Sequence, residues 1–343
     1  MKRNGIKVIA ILVALMLLLA GCGQPQTENP PAAGGEQKPV DSKPVFLSFA
    51  SGPSSGLFGK AAAGISVVLK DKSGGRIQST AQASAGAGEN ITLVNSSEAP
   101  MGVVDATSLH EAYYGEGAWT NKADNVRLVG SVAVQVMNLT TLEKSSIKTL
   151  ADLKGKKVSL GNPGSAIEAF TKHYVEHMRL DVNKVFLQGG DAATSLKDGH
   201  IDAYFWGPGA VDPNLIDLAT TTPVRILDIG TAAKEAGFFE KYIYFQPYTV
   251  KAGTYNGVDY DVQTLVTKTY WIVNKDLDDD LVYEMTKLAY TNTEALVGSY
   301  APLSNMVPEA ETLVGIDVPL HPGAEKFWKE IGVEIPDALK AVK

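Results

Sequence analysis

Hydrophobic and polar positions alternate in short blocks after residue 44, and the blocks predict strands and helices in turn. Runs rich in β-branched and aromatic residues predict strands at 45–50, 76–83, 101–104, 126–136, 157–160, 185–188, 203–206 and 267–273. Apolar residues at helical spacing predict helices at 57–70, 108–114, 146–153, 165–178, 191–197 and 279–296. This alternation favours an α/β fold with parallel sheets.

The first 44 residues follow a different pattern. Three basic residues precede an apolar run over 8–20, which is shorter than the roughly 20 residues that span a bilayer and is typical of a signal peptide. The sequence Leu-Ala-Gly-Cys ending at Cys22 resembles the lipobox of bacterial lipoproteins, in which the cysteine is acylated. We therefore expect a signal peptide at 1–21, a lipid anchor at Cys22 and export to the extracytoplasmic face of the membrane. The alternative is an ordinary secreted protein with an incidental cysteine.

Residues 22–44 are rich in Pro, Gly and polar side chains, which predicts a flexible tether. Loss of three basic residues with the signal peptide would take the formal charge from −7 to −10. An acidic chain of this kind argues against nucleic-acid binding. Cys22 is the only cysteine, so the remaining 300 or so residues must fold without disulfides, and their length suits two lobes.

Two loops share a pattern of small and hydroxyl residues between a predicted strand and a predicted helix. They are Ser-Gly-Pro-Ser-Ser-Gly at 51–56 and Gly-Asn-Pro-Gly-Ser at 161–165. Free backbone N–H groups at the positive end of a helix bind anions, and ligands of open α/β sheets bind at the carboxyl ends of strands. Either loop alone is explained by turn formation and helix capping. Together, one in each half, they favour two lobes that face one ligand.

Three other motifs suggest chemistry, and each lacks part of its context. Gly52-Pro-Ser-Ser-Gly matches the G-x-S-x-G elbow of serine hydrolases, with Ser54 as nucleophile, but follows the first strand and has no evident acid and histidine partners. His173 and His177 match H-x-x-E-H without a third zinc ligand. The aspartates at 276–280 lack EF-hand spacing and are expected to cap the next helix. We expect no catalytic residue, metal or cofactor, and keep a Ser54 hydrolase as the alternative.

Seven segments in order resemble the TAXI group of substrate-binding receptors for tripartite (TRAP) transporters. They are 51–56, 85–90, 147–158, 161–165, 196–203, 252–255 and 319–324, of which Ala-Gly-Thr-Tyr at 252–255 and Pro-Leu-His-Pro-Gly-Ala at 319–324 are the most telling. The resemblance implies a two-lobed periplasmic-binding-protein-like fold, type II-like, with the ligand in the interlobe cleft. It implies a hinge crossed near 134–138 and 262–273, lobe 1 at 45–134 plus 270–343, and lobe 2 at 138–262.

Receptors of this group capture small carboxylates, such as organic acids or acidic amino acids, and deliver them to integral-membrane transporter subunits. A binding protein for an ATP-driven importer is a further possibility. The ligand loops that the resemblance implies are 51–58, 84–90, 104–106 and 163–166, with an aromatic wall at 205–209. The implied ligand-binding residues are Ser51, Gly52, Ser54, Ser55, Phe58, Ser84, Gly86, Glu89, Asn90, Asp105, Pro163, Gly164, Ser165, Phe205, Trp206 and Gly207.

Asp105 departs from the group, in which a Gln-Ser pair is common after the segment 102–104. A carboxylate there would repel a second ligand carboxylate and favour a ligand with an amino group or a donor hydroxyl. We therefore expect amino acids or hydroxy acids to bind better than plain dicarboxylates. The alternative is that Asp105 caps the helix that follows it.

Overall fold

The structure is a computed structural model that describes residues 43–54 and 56–342. The strands are β1 (Val45–Ala50), β2 (Ile77–Gln82), β3 (Met101–Asp105), β4 (Val126–Leu142), β5 (Lys157–Ser159), β6 (Asn183–Val185), β7 (Ala203–Trp206), β8 (Val224–Ile226), β9 (Gln246–Val250) and β10 (Val262–Asn274). The helices are α1 (Leu57–Lys72), α2 (Ala87–Asn95), α3 (Ala106–Tyr114), α4 (Ala166–His177), α5 (Gly189–Lys197), α6 (Pro213–Thr221), α7 (Gly230–Glu235), α8 (Phe238–Lys241), α9 (Asp279–Tyr290), α10 (Thr293–Ser299) and α11 (Pro322–Glu330).

Two groups of parallel strands are joined by two long antiparallel strands. The hydrogen-bonded order is β2-β1-β3-β10-β4-β7-β5-β6, with β8 beside β4 and β9 beside β10. Pairing is parallel in β2-β1-β3 and in β7-β5-β6, and these strands alternate with helices along the chain. The α/β class predicted from the sequence is confirmed.

The joining strands β4 and β10 are longer than predicted, at 17 and 13 residues. Strand β3 pairs with the C-terminal part of β10, and β7 pairs with the C-terminal part of β4. Strand β10 therefore borders the first group, β4 borders the second, and the two groups are connected through the pairing of β10 with β4. The apolar pattern underestimates β4 because Asn138, Thr140 and Thr141 interrupt it, although all three are buried.

Two clusters of buried side chains form the core. The larger one contains Phe49 of β1, Trp271 of the joining strand β10 and Phe170 of α4. The second lies against α5 and α6 and contains Tyr204 and Tyr255. Successive side chains of β7 face opposite sides of the sheet, as pleating requires, so Phe205 joins the larger cluster and Tyr204 the second.

The long C-terminal helix predicted at 279–296 is two helices, α9 and α10. The break follows Tyr290, where Thr291 and Asn292 turn their side chains back onto the carbonyls of Lys287 and Leu288. Such local side-chain bonds compete with a continuous helix. The predicted cap is confirmed at Asp278, whose Oδ1 accepts the Leu281 N–H at 2.8 Å.

Other expected features are shorter or fall outside the described residues. The helix predicted at 146–153 is a short 3-10 turn, Leu150–Leu153. Within 43–54 and 56–342, no helix is both long and apolar enough to cross a membrane. The predicted signal peptide, Cys22 and the tether up to residue 42 lie outside the described residues, as does Ser55.

Candidate functional site

The first predicted ligand loop is a tight turn packed onto the start of α1. Ser51 is buried and its Oγ donates to the Gln82 carbonyl at 3.0 Å. Gly52 has φ +116°, a conformation that favours glycine. The Pro53 carbonyl lies so close to Gly59 that a Cβ added there would be 2.3 Å from it. Ser51 therefore has a partner within the fold, whereas Ser54 of the same loop is exposed.

The loops at 84–90 and 163–165 meet, although they belong to different groups of strands. A Cβ added to Gly86 would lie 3.1 Å from the Gly164 carbonyl oxygen, and one added to Gly164 would lie 3.9 Å from the Ala85 oxygen. Ser84 fixes the first loop, because its Oγ donates to Asn90 Oδ1 at 2.6 Å and accepts the Gly86 N–H at 3.1 Å. Four of the predicted site residues, from two distant parts of the chain, are thus close in space.

Glutamates of the chain itself bind backbone N–H groups at both of these helix starts. Glu89 Oε2 accepts the Ala85 N–H at 2.7 Å, and Glu168 Oε2 accepts the Gly164 N–H at 2.6 Å. Ser165 caps α4 by accepting the Glu168 N–H at 3.1 Å. Negative charge is favourable at a helix N-terminus. An anionic ligand would have to compete with these carboxylates. The role of Glu168 was not predicted from the sequence.

Asp105 has the capping role that the sequence left open as an alternative. Its side chain is 2% exposed at the start of α3, where Oδ1 accepts the Ser108 N–H at 2.9 Å and Oδ2 accepts the Ser108 hydroxyl at 2.8 Å. Burial raises the pKa of this carboxyl, and the two hydrogen bonds oppose that rise. Both oxygens therefore have a partner within α3.

Helices α3 and α4 are joined by a contact between a histidine and a glutamate that was not predicted from the sequence. His173 Nε2 lies 2.8 Å from Glu111 Oε1, and both side chains are largely buried. The ring of Tyr244 lies 6.3 Å from that of His173. The signal in the sequence was the H-x-x-E-H motif, but its second histidine, His177, contacts the Ala236 carbonyl instead. No group of three or more His, Cys, Asp or Glu side chains suited to a metal occurs in the part of the chain that the structure describes.

The predicted aromatic wall is divided between two sides of the sheet. Phe205 is 1% exposed and packs against Phe170 of α4, with ring centroids 6.0 Å apart. Trp206 packs on Gly189 of α5, where an added Cβ would lie 2.3 Å from its Nε1. Gly207 lies against the β4 backbone and leaves no room for a side chain there.

Polar side chains of the joining strands β4 and β10 contact the backbone of two neighbouring segments. Gln135 of β4 donates from Nε2 to the Gly207 carbonyl at 3.4 Å, and Thr267 of β10 donates to the Tyr244 carbonyl at 3.0 Å. Neither residue was predicted from the sequence. A polar residue inside an apolar strand was the signal that could have found Gln135.

This architecture is that of two-lobed solute-binding proteins, which confirms the predicted fold. The malate-bound MatC from Rhodopseudomonas palustris aligns with a TM-score of 0.51 and 15% identity, over 84% of this chain and 97% of that one. A TctC solute-binding protein from Polaromonas aligns with a TM-score of 0.51 and 12% identity, over 76% and 88%. At these identities the likeness concerns the fold.

Residues 49–332 match the NMT1-like family, and the chain belongs to that family. A putative aliphatic sulfonates-binding protein of Escherichia coli (strain K12) is 32% identical over 117 residues, which is 33% of this chain and 34% of the relative. The similarity therefore spans about a third of that relative's length.

Proposed function

We propose that this chain is an exported, non-catalytic receptor that binds a small organic acid between two lobes and delivers it to a membrane transporter. Lobe 1 is 45–134 plus 270–343, lobe 2 is 138–262, and β4 and β10 form the hinge. The observation that carries the proposal is the meeting of the loops at 84–90 and 163–165, which belong to different groups of strands. Closure of two lobes on a ligand brings such loops together.

The transporter class rests on the resemblance to TAXI receptors, which favours a TRAP-type partner. The E. coli relative makes a sulfonate a second candidate for the ligand. An ATP-driven importer is the second candidate for the transporter. Carboxylates and sulfonates both present oxygen acceptors to the same kind of donor. Sequencing of the neighbouring genes would distinguish the two systems. A TRAP transporter requires a gene for an ion-driven permease, whereas an ATP-driven importer requires a gene for an ATPase.

The charges near the meeting loops support a ligand that carries an amino or hydroxyl group besides its acid. Glu89 and Glu168 lie at the two helix starts, and Asp105 is buried at the start of α3. A second carboxylate on the ligand would add to this negative charge, and burying an unpaired charge is costly. We therefore retain the order of amino acids and hydroxy acids above plain dicarboxylates.

The hydrolase alternative receives no support at Ser54. In the described part of the chain, no histidine hydrogen-bonds Ser54, and the side chains of His110 and His173 contact Asp317 and Glu111 instead. A nucleophile needs a base within hydrogen-bond reach. Stoichiometric labelling of Ser54 by a fluorophosphonate would revive this alternative.

A calorimetric screen of the full chain tests the proposal. The panel pairs L-glutamate with 2-hydroxyglutarate and glutarate, which share a carbon skeleton, and adds taurine and ethanesulfonate as the corresponding sulfonates. Binding of the amino or hydroxy member above its plain partner is the expected result. Because Asp105 already caps α3, Asp105→Asn tests whether its charge also acts on the ligand. Glutarate binding above both of its partners, with Asp105→Asn indifferent, would contradict the predicted ligand class.

A further inference from the structure

The middle of the hinge strands carries polar side chains on one face. In the pairing of β4 with β10, Gln135 lies opposite Thr267, and Thr269 lies opposite Ala133. On the other side of β10, Thr269 lies opposite Asp105 of β3. Directly opposed residues share a face, as do residues two apart in a strand. Gln135, Thr267, Thr269 and Asp105 therefore share one face of the sheet.

Two atoms on this face have no partner among the described residues, although they are buried. Gln135 is 4% exposed and Thr269 is 0% exposed, yet Gln135 Oε1 and Thr269 Oγ1 make no hydrogen bond there. Thr267, between them, donates to the Tyr244 carbonyl. Buried polar atoms nearly always have a partner, and leaving one without is costly. Leucine or valine would have sufficed if the strand needed only packing.

The neighbours of this face belong to the candidate site. Gln135 Nε2 contacts Gly207, a predicted site residue, and Asp105 begins α3. Thr267 donates a hydrogen bond to the Tyr244 carbonyl. The ring of Tyr244 lies 5.2 Å from the ring of His110 on α3 and 6.3 Å from the ring of His173 on α4. The polar face thus lies where the two groups of strands and the two helices meet.

We propose that Gln135 Oε1 and Thr269 Oγ1 form the floor of the ligand site and bind an N–H or O–H donor of the ligand. This inference rests on the proposed function and deepens it. Gln135 Oε1 can only accept a hydrogen bond, and a threonine hydroxyl can accept or donate one. Asp105 adds negative charge on the same face. An ammonium or hydroxyl group suits this floor, whereas a carboxylate would face an acceptor.

The test compares Gln135→Leu and Thr269→Val with Thr267→Val in the full chain, using L-glutamate and glutarate as probes. We expect the first two variants to weaken L-glutamate binding about 10- to 100-fold, because each removes a hydrogen bond to a charged group. Glutarate binding should change little. Thr269→Ser keeps the hydroxyl and should keep most of the affinity.

The melting temperature of the ligand-free protein provides a second test of the inference, which needs no ligand. Removal of an unpartnered buried hydroxyl should leave the melting temperature of Thr269→Val unchanged or raise it, whereas Thr267→Val loses a hydrogen bond and should melt at a lower temperature. Gln135→Leu also loses the hydrogen bond from Nε2 to the Gly207 carbonyl, so its melting temperature does not enter this comparison. An equal fall in Thr269→Val and Thr267→Val would overturn the inference, as would unchanged L-glutamate affinity. If the wild type binds neither probe, the proposed ligand class fails, and the melting temperatures still test the floor.

Discussion

Removal of the buried charge at Asp212 is expected to change how the stability of the protein depends on pH. Asp212 is 1% exposed at the start of α6, where its Oδ1 accepts the Asn214 N–H at 2.9 Å. Its Oδ2 has no partner in the described part of the chain. Burial raises the pKa of this carboxyl from 3.8 to about 6, against the hydrogen bonds from Asn214 and Leu215.

The magnitude follows from the pKa difference between the folded and unfolded chain. Because the folded state binds the proton more tightly, the contribution of Asp212 to stability is full below pH 3.8 and is lost as the pH rises through about 6. At about 1.36 kcal/mol for each pKa unit, the whole loss is about 3 kcal/mol. About 2 kcal/mol of it falls between about pH 4.5 and about pH 7.5.

Asp212→Asn keeps an oxygen that can accept the Asn214 N–H and removes the titration. We expect the free energy of unfolding of this variant, relative to wild type, to rise by about 2 kcal/mol from about pH 4.5 to about pH 7.5. Urea unfolding followed by fluorescence at several pH values measures it by linear extrapolation. Other titrating groups cancel in the difference between the two proteins.

Asp217 is an exposed aspartate on the same helix, and its charge adds to the rise in the pKa of Asp212 that burial mainly causes. The Asp217→Asn variant should therefore depart from the pH dependence of wild type by much less than Asp212→Asn does. If Asp212→Asn and wild type differ by the same free energy at every pH, Asp212 titrates normally and the reasoning from burial is wrong.

Three further predictions concern the anchor and the meeting loops. Cys22→Ser should leave the membrane fraction or remain unprocessed, as judged by fractionation and immunoblot, and unchanged membrane association would exclude the lipid anchor. Ser165→Ala should lower the free energy of unfolding by about 1 kcal/mol because it removes a helix cap. An unchanged stability would exclude the capping role. A loss of ligand affinity in calorimetry would show that Ser165 also contacts the ligand. Gly86→Ala should destabilise by about 1–3 kcal/mol, because its φ of +132° is almost restricted to glycine and its Cβ would meet the Gly164 carbonyl. Gly88→Ala on α2, whose added Cβ would make only an ordinary contact with Trp119 at 4.0 Å, is its control and should be neutral or stabilising in thermal unfolding.

Local signals in the sequence predicted the alternation of elements and the caps. Asp278 before an apolar helix and Ser165 before α4 have side chains that bond backbone N–H groups close by, so the chain itself contains the whole interaction. The Gly-rich turns at 52 and 86 were predictable for the same reason. Features of this kind need no knowledge of the tertiary structure.

Contacts between distant segments could not be predicted in this way. The contact of His173 with Glu111 depends on how α3 and α4 approach each other, which no local pattern encodes. The predicted β4 was too short because an apolar pattern ends at the first polar residues. A strand that lies between other strands also accommodates buried polar residues such as Asn138 and Thr140. The opposite directions of Phe205 and Trp206 follow from strand pleating and could be predicted. The helices that cover the two sides of the sheet could not be predicted.

Asp105 is less suited to direct ligand selection than two other residues on the same face of the sheet. In the sequence, this carboxylate was the one candidate for selecting against dicarboxylates. In the structure, Asp105 is buried and each of its oxygens accepts a hydrogen bond from Ser108, so its charge is its main means of acting on a ligand. Among the described residues, Gln135 Oε1 and Thr269 Oγ1 are buried on the same face without a hydrogen-bond partner and can make a direct contact. Direct selection by hydrogen bonds therefore predicts a large effect of Gln135→Leu and a small effect of Asp105→Asn on the same ligand, and selection by charge alone predicts the reverse.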